Sequence, residues 1–320
     1  LIGHRRAKTG GAIIRRLLPA LALATISVST VAETWRFALI GDTPYNSHER
    51  AELPKMLSAI ADGKVDAIIH IGDFKSGSSP CSDEVFTDRF QLFDSSRIPF
   101  IFIPGDNEWT DCERLSNGGY DPQERLAKLR SLFWSKNQSL GRTPLTLERQ
   151  PGAYPEHARF RLGPTLFVTF NLPGGNNNWG MTDVPRADYA ARHPVTIAWL
   201  KENFALARRE NMRSLVLLFQ ANPGFKQHTQ GLAHRAYREF LDTLRDETLS
   251  FQGQVIAVHG DTHMNRIDQP MRDQSGRPLG NFVRVETFGS PFMGWTTGII
   301  DSNSPASIRF ENHPWPARHE

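Results

Sequence analysis

Residues 254–263 read QVIAVHGDTH, an apolar run of β-formers that stops on a glycine and delivers two reactive side chains, Asp261 and His263. Valine and isoleucine favour a buried, pleated strand, and Gly-Asp is turn chemistry, so the stretch predicts a strand ending in a chemically armed loop. Three upstream stretches share the form. Residues 36–42 (RFALIGD) close on Asp42, 67–73 (AIIHIGD) on Asp73 and 100–106 (FIFIPGD) on Asp106. One Gly-Asp is an ordinary surface turn, but four at the ends of apolar runs form a pattern.

Strands are expected at 36–40, 67–71, 100–103, 166–170, 214–219, 255–258 and 282–286. Helical spacings of three and four appear at 48–61, 123–134, 195–209 and 233–249. Alternating strands and helices predict an α/β layered fold, and no repeat or linker divides residues 33–320, read as one domain. The 20 phenylalanines recur in these runs as core residues rather than as an aromatic platform.

In an open α/β sheet, ligands bind beyond the carboxyl ends of the strands. Four aspartates gathered there repel one another and call for a cation. Oxygen donors with an imidazole suit one or two divalent ions such as manganese, iron or zinc.

The order GD, GD, PGDNE, GDTH resembles the calcineurin-like metallophosphoesterase superfamily, whose motifs run GDxH, GD, GNH(D/E), a lone His and GHxH. The resemblance implies a layered β-sandwich flanked by helices, with the metal site at the C-terminal ends of the strands. It also implies hydrolysis of a phosphomonoester or phosphodiester by a metal-activated hydroxide. By position, Asp42, Asp73 and His263 match family ligands. Pro44, Asp106, Asn107 and Asp261 depart from the pattern, and Gln220 and Asn222 stand where the lone histidine is expected, each offering an amide oxygen. Carboxylates and amides in place of imidazoles make the site harder and shift its preference toward manganese, magnesium or calcium.

Asn107 occupies the place of the histidine that assists the leaving group in the family, but an amide is no general acid. Glu108 and His259 are the substitutes to consider, His259 because strand alternation puts it on the face of Asp261. His70 alternates away from Asp73 and reads as a core histidine. Tyr45 and Lys75 lie close to site aspartates as phosphate-binding candidates. The amide-rich segment 171–181 offers Asn171 and Trp179 on the substrate side.

Residues 1–32 combine Arg5, Arg6, Lys8, Arg15 and Arg16 with an apolar run from Leu17 to Val31 and small residues up to Ala32. This reads as a secretory signal cleaved after Ala32, with a membrane anchor or a buried helix as the alternatives. The expected location is periplasmic or secreted. The leader holds five basic and no acidic residues, so without it the formal charge of +3 becomes about −2. Nothing in that balance selects nucleic acid, and no second apolar stretch reaches the length of a membrane span. The expected partner is therefore a small-molecule or polymeric phosphate ester. An exported chain with two cysteines predicts the bridge Cys81–Cys112. A competing reading keeps the fold and its cation site but loses turnover with the histidines.

Overall fold

The computed structural model describes residues 1–5, 7, 8, 10, 11, 33–302 and 308–316. The chain divides into two units, Leu1–Val31 and Ala32–Glu320. In the first, the described residues belong to no helix or strand; the apolar run of the expected leader and its cleavage point lie outside the described residues. Among the described residues, no helix is long and apolar enough to cross a membrane.

The second unit has twelve described strands: β1 (Thr34–Ile40), β2 (Ala67–His70), β3 (Phe100–Phe102), β4 (Glu148–Arg149), β5 (Ala158–Leu162), β6 (Thr165–Thr169), β7 (Ser214–Leu218), β8 (Gln254–His259), β9 (Arg266–Asp268), β10 (Phe282–Glu286), β11 (Gly294–Asp301) and β12 (Arg309–Pro314). One sheet runs β12-β11-β1-β2-β3 and the other β4-β5-β6-β7-β8-β10-β9. β1, β2 and β3 are mutually parallel, as are β6, β7, β8 and β10. Parallel strands need covered faces, and each sheet has two: one on the other sheet and one on helices.

Between the sheets Phe37 meets Phe167 edge-on at 4.9 Å, among Leu39, Ile69, Val216 and Val258. Outside the first sheet, Phe74, Phe93, Phe100, Phe102 and Phe133 pack beneath the helices Ser47–Asp62, Asp83–Asp94 and Pro122–Phe133. Asn46, Ser82 and Asp121 cap these helices, each side-chain oxygen accepting a first-turn backbone N–H. Outside the second sheet lie Ala187–Arg209 and Arg235–Ser250. The phenylalanines of the strands and helices pack in the core, as their placement predicts, whereas Phe292 is exposed.

Every apolar run expected to be a strand is one. The helix expected at 195 begins at Ala187 and passes through Pro194. Burial of Tyr189, Arg192, His193 and Ile197 along it outweighs the roughly 3 kcal/mol that an interior proline costs.

His157 shows how this packing couples to pH. Its ring is fully buried, Nδ1 lies 2.6 Å from Gln150 Oε1, and burial lowers its pKa to about 4. Below the free value of 6.5 the unfolded chain takes up a proton that the folded chain refuses until about pH 4. Stability is therefore fully present above 6.5 and is lost as pH falls toward 4. Between pH 7 and 4.5 this histidine costs about 2 to 3 kcal/mol. Urea unfolding at both pH values should show a correspondingly smaller loss in His157→Asn; an equal loss in both proteins would refute the assignment.

Candidate metal centre and active site

The parallel strands of both sheets end at one place. β1 leads to Asp42, β2 to Asp73, the loop after β3 to Asp106, and β8 to Asp261 and His263. Four of these five residues have left-handed backbone: φ is 49° at Asp42, 56° at Asp73, 74° at Asp261 and 55° at His263. Such conformations are uncommon for residues with a side chain and concentrate where geometry serves function.

Hydrogen bonds knit the loops together. The Asp261 N–H donates to Asp42 Oδ1 at 3.1 Å, and Asp42 N–H donates to the Gly72 carbonyl. Asp73 Oδ1 accepts from the Asn107 N–H at 3.0 Å, and its Oδ2 accepts from the Tyr45 hydroxyl at 3.3 Å and the Gln220 side-chain amide at 3.1 Å. Asp106 Oδ1 is buried without a partner. Gly174 explains a close approach: a Cβ there would lie 2.8 Å from both Asp106 Oδ1 and Asp261 Oδ1, so only glycine lets the backbone pass between these carboxylates.

Burial dominates the electrostatics. It raises Asp106 to about 7, helped by Asp111, and Asp261 to about 7, helped by Asp106. Asp73 stands well above the ordinary carboxylate value through burial, then through Asp106, Glu108 and Asp42. His263 rises to about 9 because its Nε2 lies 3.4 Å from Asp42 Oδ1, and its Nδ1 donates to the Ser290 carbonyl. Four acids, one of them with an unpartnered oxygen, and one imidazole match a divalent cation by charge and donor type. As placed, no group of three His, Cys, Asp or Glu side chains among the described residues is arranged to hold a metal ion.

The remaining candidates divide sharply. Tyr45 stands inside the cluster: its hydroxyl accepts from Asn107 Nδ2 at 3.1 Å and lies 3.3 Å from His263 Nε2. Glu108 is fully buried, and its Oε1 accepts from the Gly105 and Asp73 N–H groups at 2.6 and 3.1 Å, so it positions the two loops. Lys75 lies beneath the site, its ammonium donating to the Asn107 and Ser76 carbonyls. The Gln220 oxygen accepts from Gly174 N–H and its amide N–H faces Asp73, so Gln220 presents a donor rather than a metal ligand. Asn222 turns its oxygen to Gly224 and uses its backbone N–H to hold Asp261 Oδ2 at 2.9 Å.

Three side chains stay away from the cluster. His259 lies against Phe219 and Phe225, with Nδ1 donating to the Gly260 carbonyl. Strand alternation ends at Gly260, and the left-handed Asp261 turns the chain toward the site, leaving His259 in the core. Asn171 is buried and donates to Glu156 Oε1. Trp179 packs on Tyr189 and Arg235, its ring N–H donating to the Thr182 carbonyl. His70 is the buried core histidine that alternation predicts, donating to the Thr43 carbonyl.

Glu286 is a functional residue that sequence reasoning misses. Fully buried, it accepts from the Thr262 hydroxyl, the Met264 N–H and Arg266, fixing the loop that carries Asp261 and His263. Its signal is an acid at the end of an apolar strand, without the glycine of the other four.

The family model of calcineurin-like phosphoesterases matches residues 36–265, from β1 to just past His263. The chain belongs to that family. This phosphoesterase is accordingly a hydrolase of phosphate esters, and the family implies divalent metal ions. Its fold is similar to a dimetal phosphatase from Danio rerio (TM-score 0.53, 12% identity, covering 87% of this chain and 99% of that one). It is also similar to GAP50, the anchor in the inner membrane complex of Plasmodium (TM-score 0.51, 13% identity, covering 89% and 90%). At such identities the likeness is one of fold, and one fold serves both a phosphatase and an anchor. No curated protein matches the chain in sequence.

Proposed function

We propose that this phosphoesterase is an exported, metal-dependent enzyme that hydrolyses a phosphomonoester or phosphodiester of a small molecule or polymer. The observation that carries the reading is the convergence of Asp42, Asp73, Asp261 and His263 at strand ends in left-handed backbone, around the unpartnered Asp106 oxygen. Asp42, Asp73, Asp106, Asp261 and His263 would hold the cation, one or two ions of manganese, iron, zinc, magnesium or calcium. Bound metal supplies a water of lowered pKa and charge to offset that developing on phosphate. The Tyr45 hydroxyl and the Asn107 amide are neutral groups among the carboxylates, and their hydrogen bonds to Asp73, to the Lys75 carbonyl and to each other hold that carboxylate in place. Glu108 and Asn222 hold Asp73 and Asp261 in register. Export is supported by the basic-then-apolar leader and by the bridge Cys81–Cys112.

A second reading, a ligand-binding protein without turnover, is favoured by one observation: both Asp73 oxygens already accept hydrogen bonds from the chain itself. Metal analysis of the purified protein, then chromogenic monoester and diester assays with each cation, separates the two. The expected result is a bound transition metal or a manganese-stimulated activity that a chelator removes and added metal restores. Full activity after exhaustive chelation would overturn metal dependence; metal uptake with no hydrolysis would select the second reading.

A further inference from the structure

A cavity of about 890 Å³ opens beside His263. Eight of its thirteen lining residues are apolar, among them Phe288, Pro291, Phe292, Met293 and Trp315. Most of its polar members are engaged within the chain, Asn265 with the Glu286 carbonyl and Asn312, while His48 is exposed. Glu49 accepts from the Tyr45 N–H, the Asn46 side-chain amide and the Ser290 hydroxyl at 2.6 to 2.8 Å. The Trp315 ring N–H donates to Glu52. What remains for a ligand, besides the His48 ring, is mainly apolar surface, and two large apolar side chains stand unusually open on it, Phe292 at 72% and Met264 at 62% exposure.

His263 belongs to both places: it lines this cavity and sits 3.4 Å from Asp42 Oδ1 in the carboxylate cluster. A group leaving phosphorus on the His263 side therefore passes into the cavity. Its volume falls in the usual range for small-molecule sites, roughly 300 to 1,000 Å³, and a methyl or ethyl ester would leave most of it empty. We infer that this cavity is the leaving-group subsite, and that the substrate is the phosphate ester of an apolar alcohol, alkyl or aryl, whose hydrocarbon lies along Phe292 and Trp315. The inference rests on the hydrolytic reading of the site. Hydrolysis breaks the P–O bond, with the water oxygen retained on phosphate and its proton passing to the departing alkoxide, so a free apolar alcohol is the product held there.

Two measurements test it. In the first, phosphate release is followed for ethyl, butyl, hexyl and octyl phosphate with manganese present. The expected kcat/KM rises about two- to four-fold per methylene, as burial of hydrocarbon dictates, and Phe292→Ser flattens that slope. In the second, saturation-transfer NMR with the free alcohols needs neither metal nor turnover; signals should grow from ethanol to octanol and shrink in Phe292→Ser. Phe292 is largely exposed, so the variant folds. Hydrolysis without chain-length dependence, or alcohol signals that neither follow chain length nor respond to the substitution, overturns the subsite. Chain-length-dependent alcohol binding with no hydrolysis of any ester supports the apolar site and removes the hydrolytic reading instead.

Discussion

Replacing Asp73 with alanine lowers kcat/KM toward a phosphate ester by about a thousand-fold or more. Its carboxylate is where the loops of both sheets meet: Asn107 from the third loop, Tyr45 from the first and Gln220 from the loop after β7 all donate to it. Alanine removes the shared acceptor and one of the charges a cation needs. Asp73→Asn separates the two contributions, because it keeps size and one oxygen while discarding charge. Its activity should fall nearly as far, as expected where charge rather than shape holds the metal.

Stability should move the other way. Asp73 is buried among Asp106, Glu108 and Asp42, which drive its pKa well above the ordinary value, so its charge opposes folding when no cation is bound. Metal-free Asp73→Asn should melt no lower than metal-free wild type, the usual pattern where function tolerates local instability. Activity within ten-fold of wild type in both variants would remove Asp73 from the site. A fall in activity matched by a large fall in melting temperature would reduce it to a structural residue.

The strands legible in the sequence are those buried on both faces, because double burial writes a continuous apolar run. The missed strands are edges or return strands. β5 (ARFRL) alternates buried and half-exposed residues, and its arginines read as polar although Arg159 lays its guanidinium 4.9 Å over Trp199 and pairs with Glu148 and Glu202. β11 is interrupted by Gly298, which faces the Phe37 ring. The missed helix Asp83–Asp94 carried its own signal, a Ser82 cap and two acids in the first turn, but its charged residues dilute the apolar period.

At the site, motif spacing identifies which strand ends meet. It does not say where each side chain points, since that depends on backbone the sequence does not display. His259 is lost to the core because one left-handed residue ends the alternation. Gln220 presents its N–H because Gly174, distant in sequence, takes its oxygen. Glu286 and Glu49 act through hydrogen bonds to loops far along the chain, which no local motif records.

Removing the bridge between Cys81 and Cys112 is expected to lower the free energy of unfolding by about 3 to 4 kcal/mol, the loop-closure entropy of a cross-link between residues 31 apart. The bridge joins the segments that follow Asp73 and Asp106, and both cysteines are fully buried. Alanine at both positions is the appropriate pair, because serine hydroxyls would enter an apolar cluster containing Phe74, Phe86 and Trp109. The effect should appear in guanidinium unfolding as a lower midpoint together with a steeper denaturant dependence, since an unbridged denatured chain expands further. Activity should change less than about ten-fold at 25 °C, because Glu108 still clamps the Gly105 and Asp73 N–H groups and the Asn107 N–H still donates to Asp73. A destabilisation below about 1 kcal/mol would mean that the denatured chain holds these loops together without the bridge. A thousand-fold loss of activity with little loss of stability would mean that the bridge, rather than those hydrogen bonds, sets the spacing of Asp73 and Asp106.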